Sequence, residues 1–313
     1  MKNKFFIFSV FVVLIFSLTL SACTKPELKI NQSAEVTVAA TIFPLYDILR
    51  QVGGEKVEAI LLLPPGSSPH TFEITPSQVK SLQRADFLLT IGANLDDWAL
   101  TLASNAAQAQ VVSLDEVVAL RPFAEHEEED EEHAEDEDEY EHGDFDPHYW
   151  LDPSNAQLIA VYLATMLSEF NPENNDYYQT RAQNFIAALN EKESKWQIQL
   201  DELENRNLLV FHDAWYYFAE YFNLNIVGSF EAFPGKSPSP KYLQDLQDKI
   251  KNNNVKAVFI EPQLSAEVAS ALASDLAIKI YTLDPIGGGS GRNSYIELIE
   301  YNVATILEAL SNY

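Results

Sequence analysis

The sequence predicts an α/β protein of two βα lobes, with mainly parallel sheets, joined by one long rigid helix. Two observations carry this. Short apolar runs alternate with helix-spaced segments twice over, before residue 172 and again after residue 206. Between the halves lies a stretch, 173–205, without Gly or Pro and with one apolar stripe. A chain of 313 residues has the length for two domains.

Residues 36–40 read as a strand, followed by an amphipathic segment that Gly53-Gly54 stops. Residues 57–63 form a second strand ended by Pro64-Pro65-Gly66, and 75–84 a helix with Pro76 near its start. Residues 87–91 form a buried strand ended by Gly92. After an acidic tract, Pro153 opens a helix to Phe170, with Ile159, Leu163, Met166 and Phe170 at steps of 4, 3 and 4. Asn171-Pro172 breaks it. In 173–205, Tyr178, Phe185, Leu189, Trp196, Leu200 and Leu203 lie at steps of 7, 4, 7, 4 and 3. That is one helical stripe on an otherwise polar segment about 50 Å long, the shape of a strut between lobes. The second lobe repeats the alternation: strand 208–211, helix 215–222, strand 226–230, a Pro-rich loop 234–240, helix 242–251, strand 255–260, helix 268–274, strand 278–283 and helix 295–310.

The organisation is therefore a leader at 1–22, a tether at 23–35, an N-terminal lobe at 36–172, the linking helix, and a C-terminal lobe at 206–313. The leader has Lys2 and Lys4, then an apolar run from Phe5 to Leu20 that is short for a membrane span. Leu20-Ser21-Ala22-Cys23 looks like a bacterial lipobox, and Cys23 is the chain's single cysteine. The expected mature protein is extracytoplasmic and held by lipid on Cys23 to a bacterial membrane, in the periplasm or on the cell surface. One cysteine excludes an intrachain disulfide and a thiolate metal cluster.

The net charge is −27, and fifteen Asp or Glu between Glu125 and Asp146 account for all but −12 of it. Such a balance argues against a nucleic-acid partner, because phosphate binding needs Lys and Arg. It fits a soluble protein that attracts cations. The tract itself reads either as a low-affinity cation collector or as a solvated loop.

Three of the six His (His126, His133, His142) lie in the tract. The other three stand at ends of strands or in loops: His70 behind Pro69, His148 behind Pro147, and His212 after Leu208-Leu209-Val210-Phe211. Ligands of open α/β sheets bind beyond the carboxyl ends of strands. A proline before a ligand stiffens the approach. Asp284, in Leu283-Asp284-Pro285, is a fourth candidate of the same kind. Three imidazoles and a carboxylate suit Zn²⁺ in tetrahedral geometry, and residues drawn from both halves would place it between the lobes. Glu73 and Glu261 lie near these motifs and could orient imidazoles.

These segments resemble the metal-specific solute-binding lipoproteins of bacterial ABC importers. The residues that carry the resemblance are Pro69-His70 with the helix to Ala85-Asp86, Asp146-Pro147-His148-Tyr149-Trp150-Leu151-Asp152-Pro153, and Phe211-His212-Asp213-Ala214-Trp215. Phe230-Glu231-Ala232-Phe233-Pro234-Gly235, Ser237-Pro238-Ser239-Pro240 and Leu283-Asp284-Pro285 complete it. The resemblance implies two βα lobes on a rigid helix, with one divalent ion in the cleft held at His70, His148, His212 and Asp284. His at the third position implies the zinc branch, with Mn²⁺ less favoured; some members of that branch use only the three His and water. It further implies a monomer that captures Zn²⁺ outside the cytoplasm and delivers it to an ABC permease, and no enzymatic activity. A manganese or iron carrier is the alternative within the class. From other classes come a secreted zinc hydrolase, opposed by the lack of a His-Glu-x-x-His helix, and a surface adhesin.

Overall fold

The computed structural model describes residues 34–106, 109–122, 144–231, 239–263, 270, 273–274 and 278–311. The expected leader, Cys23, nearly all of the tether, the acidic tract up to residue 143 and the loop 232–238 lie outside the described residues. So does most of the helix expected over 268–274.

The first lobe runs β1 (Val36–Ala40), α1 (Phe43–Gly53), β2 (Val57–Leu61), α2 (Pro76–Leu82), β3 (Phe87–Thr90), α3 (Asp97–Ala106) and β4 (Gln110–Ser113). Its four strands are all parallel, in the order β2-β1-β3-β4. Helix α4 (Pro153–Phe170) follows, with Asp152 accepting from the Ser154 amide as its N-cap and Pro153 in the first turn. The linking helix is α5 (Asn175–Asp201). The second lobe runs β5 (Asn207–His212), α6 (Tyr216–Tyr221), β6 (Asn225–Glu231), α7 (Pro240–Asn252), β7 (Ala257–Ile260), β8 (Lys279–Thr282) and α8 (Tyr295–Ser311). Its sheet is parallel with the order β6-β5-β7-β8, the same winding as the first. The fold is thus two parallel-sheet α/β lobes with one long helix.

Two elements escaped the sequence reading. Helix α3 and strand β4 fill the stretch between Gly92 and the acidic tract. Strand β4 is four residues long, with Gln110 and Val111 exposed, so it lacks an apolar run. The linking helix is also shorter than the expected 173–205. Pro172–Asn174 form a 3₁₀ turn and the helix ends at Asp201, leaving 27 residues, about 40 Å. Its stripe is buried as the spacing requires: Tyr178, Phe185, Leu189, Trp196 and Leu200 are covered, and Leu203 lies just beyond the helix.

One apolar core runs through both lobes and along α5. The helix touches the first lobe near its start, where Arg181 Nη2 donates to the Arg50 carbonyl at 3.3 Å. Further along it meets the second lobe, where Trp196 packs edge-on to Phe222. Buried hydrogen bonds also cross between the lobes. Trp150 Nε1 donates to the Pro285 carbonyl at 2.8 Å, and the Tyr295 hydroxyl donates to the Trp150 carbonyl at 2.8 Å. Asp47 in α1 accepts from the Tyr295 amide at 2.8 Å, at the start of α8. Gly287 and Gly288 have φ of 78° and 79°, and a Cβ on either would press on the Phe43 ring at 3.1 Å. The second lobe's loop can therefore lie against the first.

Within the first lobe the carboxyl ends of β1 and β3 are tied by Asp96. It accepts from the Thr41 hydroxyl at 2.6 Å and from the amides of Ile91 and Gly92 at 2.7 and 3.0 Å. Burial pushes its carboxyl up to about 6, against those bonds, which pull it down. Asp96→Ala leaves three buried donors unpaired. The expected loss is about 3 kcal/mol, read as a fall of roughly 5–10 °C in Tm by thermal unfolding.

Candidate functional site

Three imidazoles converge where the carboxyl ends of the two sheets face each other. Each arrives by a different local device. His70 follows the loop after β2, which Gly66 turns at φ 84°. Trp98 on α3 fixes that loop by donating its Nε1–H to the Pro69 carbonyl at 3.2 Å. Trp98 also packs its ring on Phe72.

His148 sits at the head of a 3₁₀ turn, Tyr149–Leu151. Asp146 holds it twice, Oδ1 accepting from its amide at 2.9 Å and from its Nδ1 at 2.8 Å. The Tyr217 hydroxyl fixes this segment from the second lobe. It accepts from the Arg121 amide at 2.6 Å and donates to the Asp146 carbonyl at 3.2 Å.

His212 is the last residue of β5, and Glu261 directly follows the neighbouring strand β7. The two ends lie side by side, and His212 Nδ1 is 3.3 Å from both Glu261 oxygens. Trp215 Nε1 donates to the same carboxylate at 2.9 Å. Burial pushes the His212 imidazole down, but the charge and hydrogen bond of Glu261, with the charges of Asp213 and Asp146, together hold it above the usual 6.5.

With Nδ1 of His148 and of His212 engaged by carboxylates, the Nε2 lone pairs of both rings are left for a ligand. His148 Nε2 lies 3.3 Å from His70 Nε2. Two nitrogens bound tetrahedrally to zinc at about 2.05 Å are about 3.3 Å apart. The three ring centroids are 4.9–5.4 Å apart, and one nitrogen of each ring lies within 4.8 Å of the others. Among the described residues this is the one group of three or more His, Cys, Asp or Glu so placed. A small cavity opens between them, lined by the three His together with Trp150, Glu261 and Gln263.

Asp284 does not join the three His. Its Oδ1 accepts from the amides of Ile286 and Gly287 at 3.0 Å each and from Gln263 Nε2 at 3.2 Å. Arg292 Nε stands 3.1 Å from its Oδ2. Oδ1 is thus taken by two amides of the loop that Asp284 begins and by Gln263, while Oδ2 faces Arg292, a local demand that its place after a strand did not reveal. Glu73 is exposed and outside the group. The sequence motif around His148 contains Asp146 but assigns it no role. The Asp-x-His spacing was the available signal, since a carboxylate two residues before an imidazole can reach its Nδ1.

Two parallel α/β lobes astride a helix, with a small imidazole-lined cavity between them, define a two-lobed binding protein for a small cation. The family model described as zinc-uptake complex component A, periplasmic (ZnuA), matches residues 38–309, and the chain belongs to that family. It is 27% identical over 308 residues to the high-affinity zinc uptake system protein ZnuA of Bacillus subtilis, covering 96% of each. It is 26% identical over 310 residues to the manganese-binding lipoprotein MntA of Halalkalibacterium halodurans, covering 96% of this chain and 97% of that one. A crystal structure of a ZnuA deletion mutant with zinc bound matches with a TM-score of 0.76 at 26% identity, over 89% of this chain and 99% of that one. Among the described residues no helix is long and apolar enough to cross a membrane.

The orienting carboxylates make a prediction that needs no metal. Glu261→Gln removes the charge that raises His212 and leaves the burial that lowers it. The His212 imidazole should then titrate at a lower pH than in the unaltered protein, read in an NMR pH series; an unchanged midpoint would show that Glu261 does not set it.

Proposed function

We propose that this chain captures Zn²⁺ outside the cytoplasm on Nε2 of His148 and His212 and on His70, and delivers it to the membrane permease of an ABC importer. The observation that carries the reading is the 3.3 Å separation of His70 and His148 Nε2, with the His148 and His212 rings each held from behind by a carboxylate. Three neutral nitrogens suit a borderline-soft ion. Asp146 and Glu261 balance the two charges of the ion without binding it. Membership of the zinc-uptake family supports the same cargo.

Zn²⁺ is cargo on this reading and not a catalyst. The protein works as a monomer, held at the membrane by lipid on Cys23. The manganese alternative has the relative MntA in its favour. Manganese prefers carboxylate and water oxygens, and the converging donors here are nitrogens.

The deciding experiment is elemental analysis of the purified protein with competition titration of Zn²⁺ against Mn²⁺. Zinc should win by orders of magnitude, and His148→Ala should weaken it more than roughly a hundredfold, beyond what loss of an outer partner costs. Preference for Mn²⁺, or binding indifferent to His148→Ala, would sink the assignment. Affinity should also fall on acidification, because a protonated imidazole cannot ligate. Since Glu261 holds His212 above 6.5, zinc should begin to weaken at a higher pH than an ordinary imidazole would set. Calorimetric titration between pH 8 and about 5.5 reads this directly.

A further inference from the structure

The cavity between the imidazoles has one more polar wall. Gln263, two residues after Glu261, lines it. Its Nε2 donates to Asp284 at 3.2 Å. Its Oε1 is buried and has no hydrogen-bond partner among the described residues. A buried amide oxygen without a donor is costly and asks for an explanation. Glu261 also borders the cavity, but His212 and Trp215 engage its carboxylate.

The amide cannot readily turn over, because that would point oxygen at a carboxylate. Asp284 is itself immobile. Its amide donates to Asn302 Oδ1, and its carbonyl accepts from Asn302 Nδ2, each at 2.8 Å. Arg292 stands against its Oδ2, with the guanidinium over the Tyr301 ring at 4.6 Å. The chain Tyr301–Arg292–Asp284–Gln263 thus ends in one fixed, unpaired acceptor.

We propose that Gln263 serves the fourth position of the bound ion, its Oε1 accepting a hydrogen bond from the water that completes the shell. Asp284 then acts on the ion only through Gln263, as the group that fixes the amide. The proposal rests on the three-imidazole reading above. Its chemistry is that of an outer partner: water on a divalent ion is a strong donor, and a neutral amide oxygen accepts the bond without taking the proton. The fourth ligand stays neutral water, which leaves more readily than a carboxylate would.

The test uses the full chain with Gln263→Leu, Asp284→Asn and the double variant, each checked for folding by metal-free thermal unfolding. Zinc affinity and the visible spectrum of the Co²⁺-loaded protein are measured. Gln263→Leu should weaken zinc about ten- to a hundredfold and shift the Co²⁺ bands. Asp284→Asn should weaken it no more than that, and the double variant should match Gln263→Leu alone, because one residue acts through the other. Additive losses, or Co²⁺ bands that move with Asp284→Asn and not with Gln263→Leu, would overturn the proposal and make Asp284 a direct ligand. Should Asp284→Asn fail to fold, Arg292→Gln loosens the same carboxylate. It is expected to be silent in the Gln263→Leu background, and a further loss there counts against the proposal. Failure of the parent reading looks different: zinc would then survive His148→Ala.

Discussion

The separation of the lobes is the quantity on which the site depends. Two of the three imidazoles stand on the first lobe and the third on the second, so a displacement of about 1 Å would spoil a tetrahedral set with bonds of about 2 Å. The lobes are held by a shared apolar core and by buried hydrogen bonds between Trp150 and Pro285 and between Tyr295 and Trp150. The same interface carries Asp47 on the Tyr295 amide. These bonds are close to the site: Trp150 lines the cavity and its ring lies 5.2 Å from that of His148. Breaking them to open a wide cleft would expose a Trp and a Tyr and strand their polar groups. A rigid frame with small movements near the cavity follows, and α5 reinforces it by packing on both lobes.

Rigidity alone does not aim an imidazole, which can rotate about its side-chain bonds. Asp146 and Glu261 supply that aim at His148 and His212, and they come from opposite lobes, like the rings they hold. Each carboxylate fixes which nitrogen carries the proton and so which lone pair is free. Glu261 also raises His212, so the group that orients the ligand makes it more sensitive to acid. Orientation and proton competition are two consequences of one contact.

Much of this was legible in the sequence, for identifiable reasons. Strands in a parallel sheet are buried on both faces and read as continuous apolar runs, so β1, β3, β5 and β7 announce themselves. Pro153 and Asn171-Pro172 bound α4 without ambiguity, and the stripe from Tyr178 to Leu200 is the buried face of α5. His70, His148 and His212 stood out because each follows a strand or a proline. Strand β4 was hidden because half of it is exposed. Trp98, which pins the His70 loop, was hidden with α3, since an anchoring bond to the Pro69 carbonyl leaves no periodic trace. Asp284 lies outside the three-imidazole group: the amides of Ile286 and Gly287 bond its Oδ1 and Arg292 stands beside its Oδ2, in a loop geometry that spacing does not encode.

The acidic tract can now be set against this frame. Its ends are described even though its interior is not. Pro122 and Phe145 form an antiparallel bridge, and the Asp146 amide donates to the Arg121 carbonyl at 2.9 Å. The tract therefore leaves and re-enters the first lobe at one point, beside the carboxylate that orients His148. Closing a loop between fixed ends costs entropy that grows only slowly with length, so the bridge insulates the site from how long the tract is. On the proposed reading, Asp146 and Glu261, both buried, balance the ion's two charges. On that reading the other fourteen carboxylates of the tract act on how often a cation arrives more than on how tightly it is held. Affinity then rests on residues that add little to the net charge of −27.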